Sequence, residues 1–412
     1  MRVVYERCCG LDVHKSSVVA CVLAMGAGGE PRKEVRTFGT MTADILALAD
    51  WLAGWGCTHV AMESTGVYRK PLWNLLEGSF TLLLANARHI KAVPGRKTDV
   101  RDSEWIADLL QHGLLQPSFV PDRPQRELRE LTRYRTSPIR ERAAEVNRLQ
   151  KTLEGANIKL AAVATDIAGK SGRQIVAALA GGTTDPATLA DLAKGRMREK
   201  LPALERALAG CVGPHQRFLL AEQLAHVEYL DASVDRVSGE IQERLRPEED
   251  AIARLVTIPG VARRTAEVLV AEIGTDMRRF PTARHLASWA GLCPGNNESA
   301  GKRKSGRTRK GNPWLRTALV EVAQAAGRAR QTYLGAHYRR LASRRGKKKA
   351  CVAVGHTILG IAYHVLDRGT TYEDLGPQYS DRRDRTAVER RLVGRLESLG
   401  YKVTIEPVTP AA

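Results

Sequence analysis

The chain has 412 residues, 43% hydrophobic and 26% charged, a balance that fits a folded globular protein and excludes a disordered one; that length is too great for one ordinary core, so two or three domains are expected. With 64 Lys and Arg against 45 Asp and Glu the net charge is +19, which suits a polyanion, nucleic acid ahead of an anionic membrane. No apolar run is expected to reach the roughly 18 to 20 residues of a spanning helix. The opening Met1-Arg2-Val3-Val4-Tyr5-Glu6-Arg7 lacks a signal-peptide core, so no membrane and a cytoplasmic, nucleoid-associated place are expected.

In chain order, Cys8–Ala24 is β-rich, a Gly-Ala-Gly-Gly turn follows at 26–29, and 34–38 suggests a second strand. Cys8 and Cys9 point to opposite faces of a strand and read as small apolar residues. The seven scattered cysteines form no Cys-x-x-Cys pair, which argues against zinc and for a reducing compartment. Helical spacing at 43–52, a short apolar strand at 59–62, a helix at 68–77, a strand at 80–85 and a helix at 103–113 complete an alternating α/β layer with a mixed sheet.

From Pro121 the composition turns to Arg, Glu, Leu and Ala. A long helix is expected over 126–160, kinked or broken at Pro138. A second runs over 215–245, where positions 220, 224, 227, 231, 234, 238, 241 and 245 follow the four-three step of a coiled-coil seam. That seam serves an antiparallel hairpin or an oligomer. Beyond it, 251–295 reads as compact and helical, 296–312 as a polar basic loop, and Asn312-Pro313 as the cap and first turn of a helix to about 329. The basic run 339–349 precedes an apolar helix over 350–366, and the tail carries a helix near 387–399 and a strand at 402–405.

Four carboxylates stand out. Asp12 sits in the first strand, Glu63 at the end of a later strand, and Asp99 and Asp102 three residues apart at a helix start. A carboxylate inside an apolar strand is costly unless paired or metal-bound, and two-metal phosphoryl chemistry needs carboxylates converging from separate elements. Singly each has a plain alternative, such as favourable charge at a helix N-terminus. In strand, strand, helix order they favour a ribonuclease-H-like nuclease core. His14, His89 and His112 show no ligand spacing and receive no role.

The motifs Gly-Leu-Asp-Val-His-Lys at 10–15, Met-Glu-Ser-Thr-Gly-Val-Tyr at 62–68 and Arg-Lys-Thr-Asp-Val-Arg-Asp at 96–102 resemble the insertion-sequence-110 family of transposases. The resemblance extends to Leu255–Val261, Ala290–Pro294, Asn297–Lys302 and Lys310–Arg316. It implies an α/β N-terminal ribonuclease-H-like (RuvC-like) domain at 1–122, a long helical coiled-coil linker region at 123–250, and a mostly α C-terminal transposase domain at 251–412. It places an Asp-Glu-Asp-Asp tetrad on Asp12, Glu63, Asp99 and Asp102, holding Mg²⁺ or alternatively Mn²⁺, and a nucleophilic serine on Ser299. It implies donor and target DNA, an element-encoded noncoding (bridge) RNA, and a homo-oligomer, a dimer or a dimer of dimers, as partners. Ala300 stands where the family commonly has glycine, and Pro138 in a helix usually free of proline.

Chemically, Ser299 precedes Lys302, Arg303, Lys304, Arg307, Arg309 and Lys310, six basic residues in nine that could grip phosphates. From the residues alone a solvated basic loop with a turn-shaping serine is the plainer reading, and Ser305 is a rival nucleophile. The resemblance selects Ser299. Ile258-Pro259-Gly260-Val261 reads equally as a helix-hairpin-helix phosphate contact or an ordinary turn. In the run 339–349, Arg344, Arg345, Lys347, Lys348 and Lys349 are expected on a nucleic-acid surface. The alternatives are a metal-dependent Holliday-junction resolvase or nuclease that hydrolyses DNA without a covalent intermediate, and a non-catalytic nucleic-acid-binding protein.

Overall fold

The computed structural model describes residues 2–26, 30–64, 66–86, 90, 102–295, 297–383 and 385–406, and the chain divides into two compact units, Met1–Asp122 and Arg123–Ala412.

The first unit is built on strands β1 (Arg7–Val13), β2 (Ser17–Met25), β3 (Pro31–Gly39), β4 (His59–Glu63) and β5 (Thr81–Ala85), in the order β3-β2-β1-β4-β5. The β-rich stretch from Cys8 is two strands folded back on each other, with Arg7 opposite Ala24 and Val13 opposite Val18. β2 and β3 are antiparallel, while β1, β4 and β5 run parallel. Helices α1 (Thr42–Gly54), α2 (Arg69–Leu76) and α3 (Asp102–Gln111) cover the sheet. The period-two alternation of β1 decides which side each residue serves. Cys9, Leu11 and Val13 pack with Ile45, Leu48 and Leu52 of α1 and Leu72 and Leu76 of α2. Cys8 packs on the opposite face with Ala61, Ala85, Trp105, Ile106, Leu109 and Leu110, beneath α3. Burial pushes the Cys8 thiol up to about 12 and Cys57 to about 11, so these cysteines are apolar filling rather than nucleophiles.

The second unit opens with α4 (Arg123–Gly155) and α5 (Pro214–Arg244), which lie antiparallel. As one number rises the other falls: Glu127 meets Arg244, Arg142 meets Asp231 and Glu145 meets His226. The seam predicted on α5 turns into this hairpin and the helices around it, with Leu220, Val227, Val234, Ile241 and Leu245 buried. Of its two polar positions, Asp231 and Ser238, the first is held by Arg142 and Arg173. Pro138 does not break α4. It is buried inside a continuous helix, and packing along α5 offsets the roughly 3 kcal/mol that an interior proline costs. Short helices at Leu160–Val163, Lys170–Ala180, Pro186–Asp191 and Leu201–Leu208 close one end of the hairpin around Leu153, Ile158 and Ile175.

The chain continues through α6 (Glu249–Val256), α7 (Arg263–Ile273), α8 (Ala283–Trp289), a two-stranded ribbon of β6 (Asn297–Ser299) and β7 (Lys302–Ser305), then α9 (Pro313–Arg328), α10 (Tyr333–Arg345) and α11 (Lys347–Arg368). Asn312 caps α9 as expected, its Oδ1 accepting from the amides of Trp314 and Leu315. Two expectations fail here. Residues 296–312 are not a plain loop, and 402–405 is not a strand. α11 also corrects the membrane reading: among the described residues it is the one helix long and apolar enough to cross a bilayer, with mean hydropathy 1.4. Half of that stretch is buried in protein, against α8, α9 and α10, as in a core helix.

Candidate functional site

Asp12 and Glu63 each stand one residue beyond Leu11–Met62, the last registered pair of the parallel strands β1 and β4. Both belong to the strand face that carries Cys8 and Ala61, the face under α3. α3 runs opposite to β1: the amides of Val4 and Tyr5 donate to the Gln111 carbonyl at 2.8 and 3.2 Å, while Ser103 and Ala107 lie over Gly10. A Cβ on Gly10 would stand 2.3 Å from the Ser103 oxygen, so glycine is what lets α3 lie directly on β1. Asp102, the first residue of α3, is therefore brought to the end of the sheet that carries Asp12 and Glu63.

Asp12 is half-buried, its side chain 26% exposed, and its Oδ2 lies 3.2 Å from Nε2 of His14. Sequence reasoning gave His14 no role, yet the strand period places residues 12 and 14 on one face and could have paired them. The donor set is all carboxylate oxygen, which fits a hard divalent cation. Among the described residues no three such side chains close on one point, and Asp99, the remaining member of the expected four, lies outside them.

In the second unit, β6 and β7 pair antiparallel with Ser299 opposite Lys302, joined by Ala300 and Gly301 at φ of 51° and 72°. Positive φ at both central residues is the type I′ hairpin turn, whose twist matches paired strands. Ser299 is thus the last residue before the tip. The ribbon continues through a bridge between Pro294 and Thr308 down to Gly291 and Gly311. A Cβ on Gly311 would stand 2.4 Å from the Gly291 nitrogen, so the two glycines hold the base closed. Lys302, Arg303 and Lys304 lie on β7, with Arg307, Arg309 and Lys310 beyond it. Ser305, the rival serine, accepts a hydrogen bond on Oγ from the Arg307 amide at 3.1 Å and shapes that turn. Past the ribbon, Asn312 Nδ2 donates to Glu272 at 2.6 Å, and Arg133 holds the same buried carboxylate through two bonds of 2.7 and 2.8 Å.

The two basic runs converge. A groove of about 1030 Å³ is lined by Arg307, Arg316, His337, Arg345, Lys348 and Lys349, with His356 alongside. Lys347–Lys349 occupy the first turn of α11, the end where the helix dipole disfavours cations. That placement weakens the helix unless an anion answers it. Burial, then Arg340 and Arg383, lowers the His337 pKa, and burial lowers that of His356, so both imidazoles are neutral at pH 7. Sequence reasoning missed Arg316, His337 and His356, because helices distant in the chain bring them here. The turn at 258–261 buries Ile258 and Val261 and sets Gly260 against Val322 and Ala326 of α9, a packing role.

A family model for the DEDD transposases of IS110 elements matches residues 9–158, and one described as "Transposase IS116/IS110/IS902 family" matches residues 252–339. Over 76% of the chain, and 85% of the relative, the sequence is 27% identical to a "Probable family 20 transposase" of Pseudomonas aeruginosa. It is 25% identical to the "Transposase for insertion sequence element IS1111A" of Coxiella burnetii, over 77% of this chain and 79% of that one. Over a shorter stretch, 29% of the chain and 38% of the relative, it is 30% identical to the "Pilin gene-inverting protein" of Moraxella bovis.

Proposed function

The chain belongs to the IS110 family of transposases, and from that premise we propose that it cuts and rejoins DNA strands of a mobile insertion sequence through Ser299, assisted by a carboxylate site in the first unit. The observation that carries this reading is the gathering of Asp12, Glu63 and the start of α3 at one end of one sheet face. The order β3-β2-β1-β4-β5, with an antiparallel hairpin followed by parallel strands, supports a ribonuclease-H-like assignment of residues 1–122. We assign 123–250 as the helical region that presents and assembles the protein, and 251–412 as the transposase domain.

Asp12, Glu63, Asp99 and Asp102 would hold a divalent ion, Mg²⁺ or Mn²⁺, which neutralises charge on the phosphate oxygens when bound. The chain's own residues do the rest. Ser299 gives up its hydroxyl proton, and an Oγ–P bond forms as the bond from phosphorus to one sugar oxygen breaks; the departing oxygen takes a proton. The phosphoserine ester conserves the bond, so a sugar hydroxyl of a second strand can displace the serine and restore the DNA linkage. Lys302, Arg303, Lys304, Arg307, Arg309 and Lys310 position the backbone at the ribbon, Arg345, Lys348 and Lys349 hold nucleic acid in the groove, and Arg344 and Lys347, next to them in the chain, extend that basic surface. The groove's charge suits RNA as well as DNA, and we assign the guide to an element-encoded noncoding RNA. A homo-oligomer acting at the nucleoid in the cytoplasm completes the proposal.

The test is recombination between donor and target plasmids, with and without the DNA flanking the gene. Wild type recombines only with the flank present, and Asp12→Ala and Ser299→Ala do not recombine. Activity of Ser299→Ala equal to wild type would remove the serine from the reaction, and full activity without the flank would remove the RNA.

A further inference from the structure

Where α4, α7 and α9 meet, the second unit leaves a cavity of about 190 Å³, many times the roughly 10–15 Å³ that one water needs. Arginines dominate its lining: Arg133, Arg135, Arg140 and Arg264 face it, against Glu272 and Glu321. They are not equivalent. Arg133 is already committed to Glu272 through its Nε and Nη2. Arg135 is 3% exposed and donates through Nη1 to Glu267 at 2.6 Å, while its Nη2 has no hydrogen-bond partner among the described residues. An orphaned N–H on a buried cation is costly, so an acceptor in the cavity would recover that loss. Arg264 is exposed at the cavity and close enough for its charge to lower the Arg135 pKa, behind burial as the larger cause. Arg140 lies over the Trp314 ring at 5.9 Å and lines the cavity beside it.

We propose that this cavity is a phosphate-binding site, in which Arg135 Nη2, Arg140 and Arg264 donate to the oxygens of one phosphate group. The positive surplus matches a phosphate, and guanidiniums arriving from two helices suit a tetrahedral anion better than a planar carboxylate. The site is separate from Ser299 and from the carboxylates. α4 belongs to the helical hairpin and α7 and α9 to the helices carrying the ribbon, so an occupied cavity ties the two parts together. The phosphate has two sources, a nucleic-acid strand or a free anion.

The experiment is thermal melting and equilibrium binding of inorganic phosphate to the full-length chain, with chloride as an ionic-strength match. Phosphate should raise the melting temperature of wild type beyond the chloride control. Arg140→Gln and Arg264→Gln, both at exposed positions, should each weaken phosphate about tenfold. Glu321→Gln should tighten it by removing a repelling carboxylate, and Lys151→Gln, exposed on α4 and outside the cavity lining, should leave it unchanged. Short oligonucleotides with and without a 5′-phosphate then identify the source. Displacement by both points to the backbone, by the first alone to a strand end, and by neither to a free anion, and each keeps the site. Melting in phosphate equal to that in chloride, or an equal response in wild type and both arginine variants, overturns it.

Discussion

Arginine has two different fates in the second unit. Five arginines in and around the helical hairpin are committed: Arg133 to Glu272, Arg135 to Glu267, Arg142 and Arg173 to Asp231, and Arg244 to Glu127. Along the ribbon and groove, Lys302, Lys304, Arg307, Arg309, Lys310, Arg344, Arg345 and Lys347–Lys349 have no ion-pair partner among the described residues. The first set holds helices together, and the second is left for a partner. Net charge does not separate them; the position of the nearest carboxylate does.

The sharpest way to break this contrast is Glu272→Ala, which strands Arg133 and Arg129 around a site with no solvent exposure and releases Asn312. Urea unfolding should show a loss of about 3–5 kcal/mol, and a loss under about 1 kcal/mol would place these arginines with the solvated set. Replacing Lys347, Lys348 and Lys349 by Gln should do the opposite. The slope of log affinity for DNA against log salt should fall by about one per lysine that meets a phosphate, with melting temperature unchanged or higher. A melting drop like that of Glu272→Ala would mean that the groove lysines are structural.

Ala300→Gly sharpens the account of the ribbon. With φ at 51°, Ala300 bears about 1 kcal/mol of strain that glycine lacks, so amide protection across β6 and β7 should rise about fivefold. Unchanged exchange would mean that the tip is not held in the I′ turn. The smallest effect concerns pH. Because the folded-state pKa values of His337 and His356 are lowered, the unfolded chain takes up protons first as pH falls through about 6.5. Their contribution to stability is present above that pH and is lost as pH falls toward the folded values. Melting at pH 5.5 should fall below that at pH 7.5, and His337→Asn with His356→Asn should narrow the gap.

The sheet and the long helices were legible because period-two and period-3.6 patterns report burial directly, as in Cys9-Leu11-Val13 and Leu220-Val227-Val234. Asn312-Pro313 announced α9 through backbone chemistry local to those residues. The ribbon was not legible. Lys302-Arg303-Lys304-Ser305 has little β propensity, and its turn begins with alanine where the hairpin signal is usually Asn-Gly. A break at Pro138 does not occur, because tertiary packing offsets a cost that is local to the proline. The individual site residues were named from motifs, but the groove joining Arg307 to Arg316, Arg345 and Lys349 depends on helix packing and has no local signature.

The claim that most else depends on is tested by trapping the reaction on a nicked DNA substrate and digesting away the nucleic acid. Wild-type protein should carry a DNA-derived phosphate on the peptide containing Ser299, in a divalent-ion-dependent reaction that Asp12→Asn abolishes. DNA cleavage by wild type with no protein-linked phosphate, persisting in Ser299→Ala, would contradict the account and leave a carboxylate-directed hydrolysis in its place.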